Sequence, residues 1–595
     1  MKKLLAVFLS CMLLVGTMQI ASAAESVPMS PLDGLKYLTE EASADAVVKA
    51  KPVKAPVKNA PAKAPAGTPG VEDEEGTESP LADPGDSGST PPAVTLQDSG
   101  SITVTGLKEG TTVNAYRLVE LKTNEEKTHF YNQLNSPKYQ AVFNELGVEN
   151  VSSFAALDGS KVLAAAQKSI TAAATVPDAE YSQTVEEGQT SLTITGADLG
   201  FYYIAMTAAE GDFTIYNPML VLVPQVSETP GEEKVTYTYD VTAAAKSSSP
   251  GIEKKILEGT QPVDTTSASI GDTIKYQLTT LVPEYKADIE YDKVVFKITD
   301  TMSKGLTYKK GFAVYGIGEA GEAGGAGTLI ENPLIGDVAT PTPQVGENGE
   351  TTIVMDFNYA KIKDYKSIRI TYNAELNESA VIGVEGNPNE AKLAYSHDTS
   401  KVDGSGKYPS KEPPGDKTVV YTFGLDITKY ELGDTSVTLP GAEFSMKTAG
   451  GKTVYFKVKN ETDNIYTAIV ADAQPENTVD TVTTIAGGKL IIEGLGEGNY
   501  TLTEVKAPND YHIIDKNISI IITAEKTGEE LTGEVTQDTG ISAGSYGEAY
   551  YVKNIANSPK YALPQTGGIG TAIFGLIAVL AAAAACVMLY RRRNE

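Results

Sequence analysis

Two cysteines in 595 residues, Cys11 and Cys586, leave almost nothing from which to build disulfides. Both lie in apolar terminal runs, so the long portion between them holds no thiol. Disulfide stapling, thiol catalysis and cysteine zinc sites are excluded there. Tryptophan is absent, and 31 tyrosines far outnumber 13 phenylalanines. The three histidines, His129, His397 and His512, sit in separate regions, so a histidine-centred metal or nucleophile site has little material and no metal site is expected. Positive charge is also short: 49 Lys and Arg stand against 77 Asp and Glu, a formal net charge of −28. That balance argues against nucleic acid or anionic lipid as a partner.

The two ends carry export and anchoring signals. Lys2 and Lys3 precede the apolar run Leu4 to Val15, and Ala21-Ser22-Ala23 offers small residues for cleavage, so residues 1–23 read as a secretory signal peptide. Residues 569–590 carry no charge and are followed by Arg591, Arg592 and Arg593. As a helix this run is roughly 33 Å long, enough to cross a hydrocarbon core of about 30 Å. The arginines stay on the cytoplasmic side, so everything before Leu563 faces outward. Leu563-Pro564-Gln565-Thr566-Gly567 stands directly in front of this span. The composite of pentapeptide, apolar span and basic tail resembles the cell-wall sorting signal of Gram-positive surface proteins. The resemblance implies that sortase, a membrane-bound transpeptidase, cuts after Thr566 and joins its carbonyl to an amine.

Between the ends, short Val/Ile/Thr/Tyr runs separated by Gly, Asn, Asp and Pro predict an all-β multidomain chain. Residues 24–95, rich in Pro, Ala, Lys and then acidic and Gly/Ser stretches, are expected to be a disordered leader, with Leu32 to Val48 compatible with a short helix. A first domain is expected over 96–246, a second over 247–420 and a third over 421–558; residues 559–595 form the terminal signal.

Strand alternation puts polar residues on phases that read as buried. In the second domain Lys254 follows Ile252 and precedes Ile256, Asp300 ends the phase Val294, Phe296, Ile298, and Asn389 opens the phase Ala391, Leu393, Tyr395. In the third, Lys429 follows Leu425 and Ile427, Glu504 follows Tyr500 and Leu502, and Asn554 follows Tyr550 and Val552. Each domain thus sets one Lys, one carboxyl and one Asn inward, in the same order.

Ile298-Thr-Asp300-Thr-Met302 and Gly386-Asn387-Pro-Asn389-Glu-Ala391 in the second domain resemble the fimbrial D2 domains of sortase-assembled pilins. In the third, Leu425 to Lys429, Pro440-Gly-Ala-Glu-Phe444, Tyr500-Thr-Leu502-Thr-Glu504-Val-Lys-Ala507-Pro508-Asn-Asp-Tyr511 and Tyr551-Val-Lys-Asn554-Ile resemble the collagen-adhesin B-type domain, including its E-box. The resemblance implies tandem Ig-like β-sandwiches. It also implies intramolecular isopeptide bonds, Lys254–Asn389 assisted by Asp300 and Lys429–Asn554 assisted by Glu504, with Lys255 and Asn387 as fallback partners. An apolar site suits that chemistry, since it favours a neutral, nucleophilic lysine and a protonated acid. The first domain has Met206 where the E-box glutamate belongs, and no bond of this type is expected there.

Such pilins polymerise through an acceptor lysine at the end of the first domain. Tyr237, Tyr239, Val241, Ala243 and Ala245 share one phase and Lys246 the other, which makes Lys246 the acceptor and Lys234 the second choice, although Ala-Ala-Ala-Lys replaces the family's Tyr-Pro-Lys core. The implied protein is a pilus shaft subunit, not an enzyme with turnover and without cofactor. Its expected partners are sortase, identical subunits, minor pilins and peptidoglycan. The alternative is a monomeric wall-anchored adhesin that binds a host surface ligand.

Overall fold

The computed structural model describes residues 26–44, 96–171, 176–228, 235–285, 289–318, 327–399, 402–560 and 570–593. The signal peptide, Lys234 and the pentapeptide Leu563–Gly567 lie outside the described residues. The chain gathers into two compact units. One is built on residues up to Pro250 with Pro283–Val294 and Ser396–Lys411; the other on Gly251–Val282, Val295–Tyr395 and the chain from Glu412 onward. The boundary near Pro250 lies close to the expected 246/247. The segments 283–294 and 396–411, expected in the second domain, cluster instead with the first unit.

In the first unit a sheet runs in the order Phe130–Leu134, Thr112–Thr123, Gly200–Thr207, Met219–Val223, with Tyr181–Thr184 also on Thr112–Thr123. A second sheet runs Asp240–Ala244, Ser99–Thr105, Ser191–Asp198. Helices Ser136–Leu146, Val151–Ala155 and Gly159–Ala166 cover this core with Phe143, Phe154 and Val162, each fully buried. The last long strand, Asp240–Ala244, lies parallel to Ser99–Thr105, with Val241 opposite Ile102.

The start of the leader is folded, and its helix falls largely within Leu32 to Val48, the stretch compatible with one. Val27–Pro28 pairs antiparallel with Gln225–Glu228, and Pro31–Ala44 is a helix. Its start is well specified: the Ser30 hydroxyl accepts the Asp33 N–H at 3.2 Å and donates to the Asp33 carboxylate at 2.6 Å, and Pro31 fills the first helical position. Leu32, Leu35 and Leu38 are buried against the first unit's core. Low overall hydrophobicity suggested disorder, but three leucines at helical spacing form a stripe that suffices for docking.

The second unit holds two sheet systems before its C-terminal strands. One runs Gln261–Val263, Ile252–Glu258, Thr273–Leu281, Ser367–Leu376, Leu306–Ile317, Thr328–Leu329. The other contains Thr265–Ser267, Asp416–Tyr421, Asn387–Ser396, Phe296–Met302, Thr351–Asp356 and Pro343–Val345 in that order. The glycine-rich stretch 316–349 includes the short strands Thr328–Leu329 and Pro343–Val345. Ser367–Leu376 alternates buried Ile368, Ile370, Tyr372, Ala374 and Leu376 with half-exposed residues, as period two requires. The third region folds around Phe423–Glu431, which pairs antiparallel with Lys489–Leu495 and parallel with the closing strand Tyr550–Asn557. Gly570–Arg593 is a helix long and apolar enough to cross a membrane.

Candidate cross-linking sites

The second-domain set converges. Lys254 and Tyr372 come from one sheet, Asp300 and Asn389 from the other, and all four are fully buried. Lys254 Nζ contacts Asp300 Oδ2 and donates to the Tyr372 hydroxyl at 2.7 Å. Tyr372 in turn donates to Asp300 Oδ2 at 2.8 Å and accepts from Asn389 Nδ2 at 2.8 Å. The ring of Tyr276 stacks on that of Tyr372 at 5.3 Å, and its centroid lies 4.9 Å from Lys254 Nζ. Burial lowers the Lys254 pKa against the opposing pull of Asp300, and burial raises that of Asp300 against the pull of Lys254. Both shifts favour the uncharged pair, a neutral amine beside a neutral acid.

The fallback residues are engaged elsewhere. Lys255 Nζ donates to Asp264 at 2.6 Å, and that hydrogen bond raises its pKa, which holds it as an ammonium ion. Asn387 donates to the carbonyls of Val381 and Val420 at 3.1 Å each and accepts the Val381 N–H at 2.8 Å, so its amide is committed to the backbone.

In the third domain Lys429 and Glu504 meet as expected. Nζ lies 3.7 Å from Glu504 Oε1 and donates to the Ile555 carbonyl at 3.4 Å. Burial lowers the Lys429 pKa to about 8, against the opposing charge of Glu504. The expected asparagine is corrected. Asn554 is exposed, and the buried asparagine of the closing strand is Asn557. Its Nδ2 donates to Glu504 Oε2 at 2.9 Å and to the His512 carbonyl at 2.7 Å. The sequence reading started the phase at Tyr550, whereas both Tyr550 and Tyr551 are buried and the inward phase continues from Tyr551 through Ile555 to Asn557. The signal was present, because Asn557 keeps step with Ile555, but two adjacent tyrosines left the phase ambiguous.

The loop after the E-box closes this site. The Ile514 N–H donates to Glu504 Oε2 at 2.8 Å, and Tyr511 donates to Glu431 at 2.6 Å. Gly488 approaches from the other side with φ 66°; a Cβ there would stand 2.1 Å from the Lys429 carbonyl oxygen.

The two sites share an electrostatic feature. The buried side-chain oxygens without a hydrogen-bond partner include Asp300 Oδ1 and Asn389 Oδ1 in one site, Glu504 Oε1 and Asn557 Oδ1 in the other. Each is a carboxyl oxygen in the same cluster as an amide oxygen. Unpartnered buried acceptors are costly, and at Asp300, whose pKa burial raises, a proton on the acid supplies the missing donor. In the first domain, over 96–246, the buried polar side chains among the described residues are Thr111, Thr214 and Ser227, and Met206 lines the core.

Lys246 is exposed, between Asp240–Ala244 and Ser247–Ser248, and its carbonyl accepts the Asn217 N–H at 2.9 Å. Tyr237, Tyr239, Ala243 and Ala245 pack against the core as its neighbours in phase.

Residues 424–537 match SpaA, the prealbumin-like fold domain, and residues 556–595 match the LPXTG cell wall anchor motif. Over these two stretches the chain is similar to wall-anchored Gram-positive surface proteins with a prealbumin-like β-domain, and its C-terminal helix fits a precursor held in the membrane. A particular relative is the trypsin-resistant surface T6 protein of Streptococcus pyogenes serotype M6, 26% identical over 435 residues, 71% of each chain. The solved T6 backbone pilin of the same serotype, described as a modular three-domain structure, shares the fold at a TM-score of 0.50 and 20% identity, covering 78% of this chain and 99% of that one. The two family models and the T6 surface protein carry the similarity to wall-anchored surface proteins, and the solved pilin carries the fold.

Proposed function

We propose that the protein is the shaft subunit of a covalently polymerised pilus and that it cross-links itself at two internal sites. The anchor motif and the T6 relative support a pilin shaft subunit. The finer reading is that sortase joins Thr566 of one subunit to Lys246 of the next. The exposure of Lys246 at the end of the first domain favours it. The similarity to the SpaA domain and to the T6 surface protein supports a structural protein; the only chemistry proposed for it is single-turnover cross-linking of its own side chains.

The observation that carries the cross-linking is the pair of buried Lys–acid–Asn clusters with matching orphan oxygens. In each, the lysine transfers a proton to the acid and its neutral amine attacks the asparagine Cγ. The acid then returns a proton towards the departing nitrogen, and ammonia leaves. The bonds would be Lys254–Asn389 with Asp300 and Lys429–Asn557 with Glu504. The test is intact mass of the full chain purified in detergent. Two bonds remove about 34 Da, one ammonia of about 17 Da for each, and peptide mapping assigns each loss. An unchanged mass rejects the cross-links. A wall extract that shows a single band in place of a covalent ladder, or a ladder that persists in Lys246→Ala, rejects the corresponding part of the polymer reading.

A further inference from the structure

The two sites differ in how the acid reaches the leaving nitrogen. In the third domain Glu504 Oε2 touches Asn557 Nδ2 directly at 2.9 Å. In the second domain the acid is an aspartate, one methylene shorter, and a tyrosine oxygen bridges it to Asn389 Nδ2.

A phenolic hydroxyl has one hydrogen and two acceptor positions. At Tyr372 all three are assigned. In the ion pair that precedes proton transfer, Lys254 Nζ and Asn389 Nδ2 enter as donors at 2.7 and 2.8 Å, since an amide nitrogen or an ammonium can only donate. The single hydroxyl hydrogen therefore points to Asp300 Oδ2 at 2.8 Å. One oxygen touches the nucleophile, the acid and the leaving group, and the stacked ring of Tyr276 and the tilted ring of Tyr308, 5.9 Å away, hold it in place.

We propose that Tyr372 is a catalytic residue of the second-domain cross-link, relaying a proton from Asp300 to the departing nitrogen of Asn389. The inference rests on the cross-linking reading above. Lys254 first gives a proton to Asp300. Its neutral Nζ attacks Asn389 Cγ; the Nζ–Cγ bond forms and the carbonyl electron pair moves to Oδ1. Tyr372 then passes its hydrogen to Nδ2 and takes the proton from Asp300. The Cγ–Nδ2 bond breaks, the carbonyl reforms and ammonia departs. The second proton on Nζ returns to Asp300, leaving a neutral amide and a neutral acid, so protons and charge balance. Burial raises the Tyr372 pKa well above that of a free phenol, which keeps the hydroxyl protonated between transfers.

The experiment compares the full-length wild type with Tyr372→Phe, purified in detergent at matched times after synthesis and mapped by mass. The variant keeps the ring and loses only the oxygen. The expected result is a complete Lys429–Asn557 bond in both, with the Lys254–Asn389 bond at least ten-fold less abundant in the variant. A variant that carries the Lys254–Asn389 bond in full at the earliest time overturns the proposal. A wild type without that bond overturns the cross-linking reading itself, and the relay with it. Amide exchange over Thr273–Leu281 and Ser367–Leu376 separates chemistry from packing, with Asp300→Asn as reference. If Tyr372→Phe loses more protection than Asp300→Asn, the hydroxyl is structural and the relay is rejected; equal protection with the bond missing supports it.

Discussion

Asn554 and Asn557 lie three residues apart on the closing strand, yet only the second reaches Glu504. Asn557→Ala is expected to abolish the third-domain loss of about 17 Da, while Asn554→Ala, at an exposed position, leaves it intact; intact mass decides between them. Lys429 gives a second prediction. With the bond unformed, burial lowers its folded pKa to about 8 against 10.5 for the free side chain, and Asn557→Ala keeps the chain in that unlinked state. Between those values the unfolded lysine still binds the proton that the folded one has shed, so unfolding takes up protons and stability rises with pH across that window. Below it the lysine is charged in both states and its burial disfavours folding. Denaturant midpoints measured from pH 7 to pH 11 check the sign: a flat or falling profile contradicts the buried, uncharged lysine. At neutral pH roughly a tenth of such lysines are already neutral, enough to supply the nucleophile once folding has placed it.

At the scale of elements, the start of the leader behaves as part of the first unit. The helix Pro31–Ala44 is held by a leucine stripe, with Leu35 and Leu38 fully buried. Leu35→Ala should cost about 2–5 kcal/mol. Because one short helix carries that loss, the outcome is release of the segment with the sheets left intact. Amide exchange of residues 31–44 should accelerate strongly while that of Thr112–Thr123 does not, and parallel loss in both would show that the helix is integral to the domain. The sequence was compatible with a short helix over Leu32 to Val48. The docking of its leucines was not legible there, because the surface they fill is assembled from elements far downstream, the helix Val151–Ala155 and the strands Phe130–Leu134, Met219–Val223 and Gln225–Glu228. Gly488 makes the corresponding point for the third-domain site. Only a residue without Cβ lets its backbone pass so close to the Lys429 carbonyl, and nothing in the local sequence marks that approach.

For the whole molecule, the proposed bonds decide which parts of the chain bear load. Phe423–Glu431 and Tyr550–Asn557 are adjacent and parallel. With Lys429 bonded to Asn557, tension passes along the first strand, through the bond and out towards Lys560, and the residues between are shielded. In the second domain Asn389 is not on the final strand: Asp416–Tyr421 pairs beside it, with Asn389 opposite Thr418. The bond there shields the chain from Lys255 to Pro388 and leaves the hydrogen-bonded ladder beyond it under load. Stretching single molecules of Lys254→Ala/Lys429→Ala should release extensions of roughly 450 Å per site that the wild type never shows, given about 3.4 Å per extended residue. By analogy with a disulfide across so long a loop, each bond contributes on the order of 4–5 kcal/mol. Identical extension in the two chains would remove the mechanical role.

Period-two alternation alone set Lys254, Asp300, Asn389, Lys429 and Glu504 inward, because a strand that buries one face must bury whatever occupies that phase. The apolar C-terminal span and the anchor motif were equally legible, since each depends only on contiguous residues. The closing asparagine was decided by tertiary structure: Tyr550 and Tyr551 are both buried, so the strand's phase is fixed by its parallel register against Phe423–Glu431 rather than by its own pattern. Tyr372 was hidden for a related reason. In the sequence it is one of several apolar residues on an inward phase, and its hydroxyl acquires meaning only when two sheets bring Lys254, Asp300 and Asn389 within hydrogen-bond distance of one oxygen. Local pattern fixes which way a side chain points; which side chains it then meets is fixed by the packing of strands far apart in the chain.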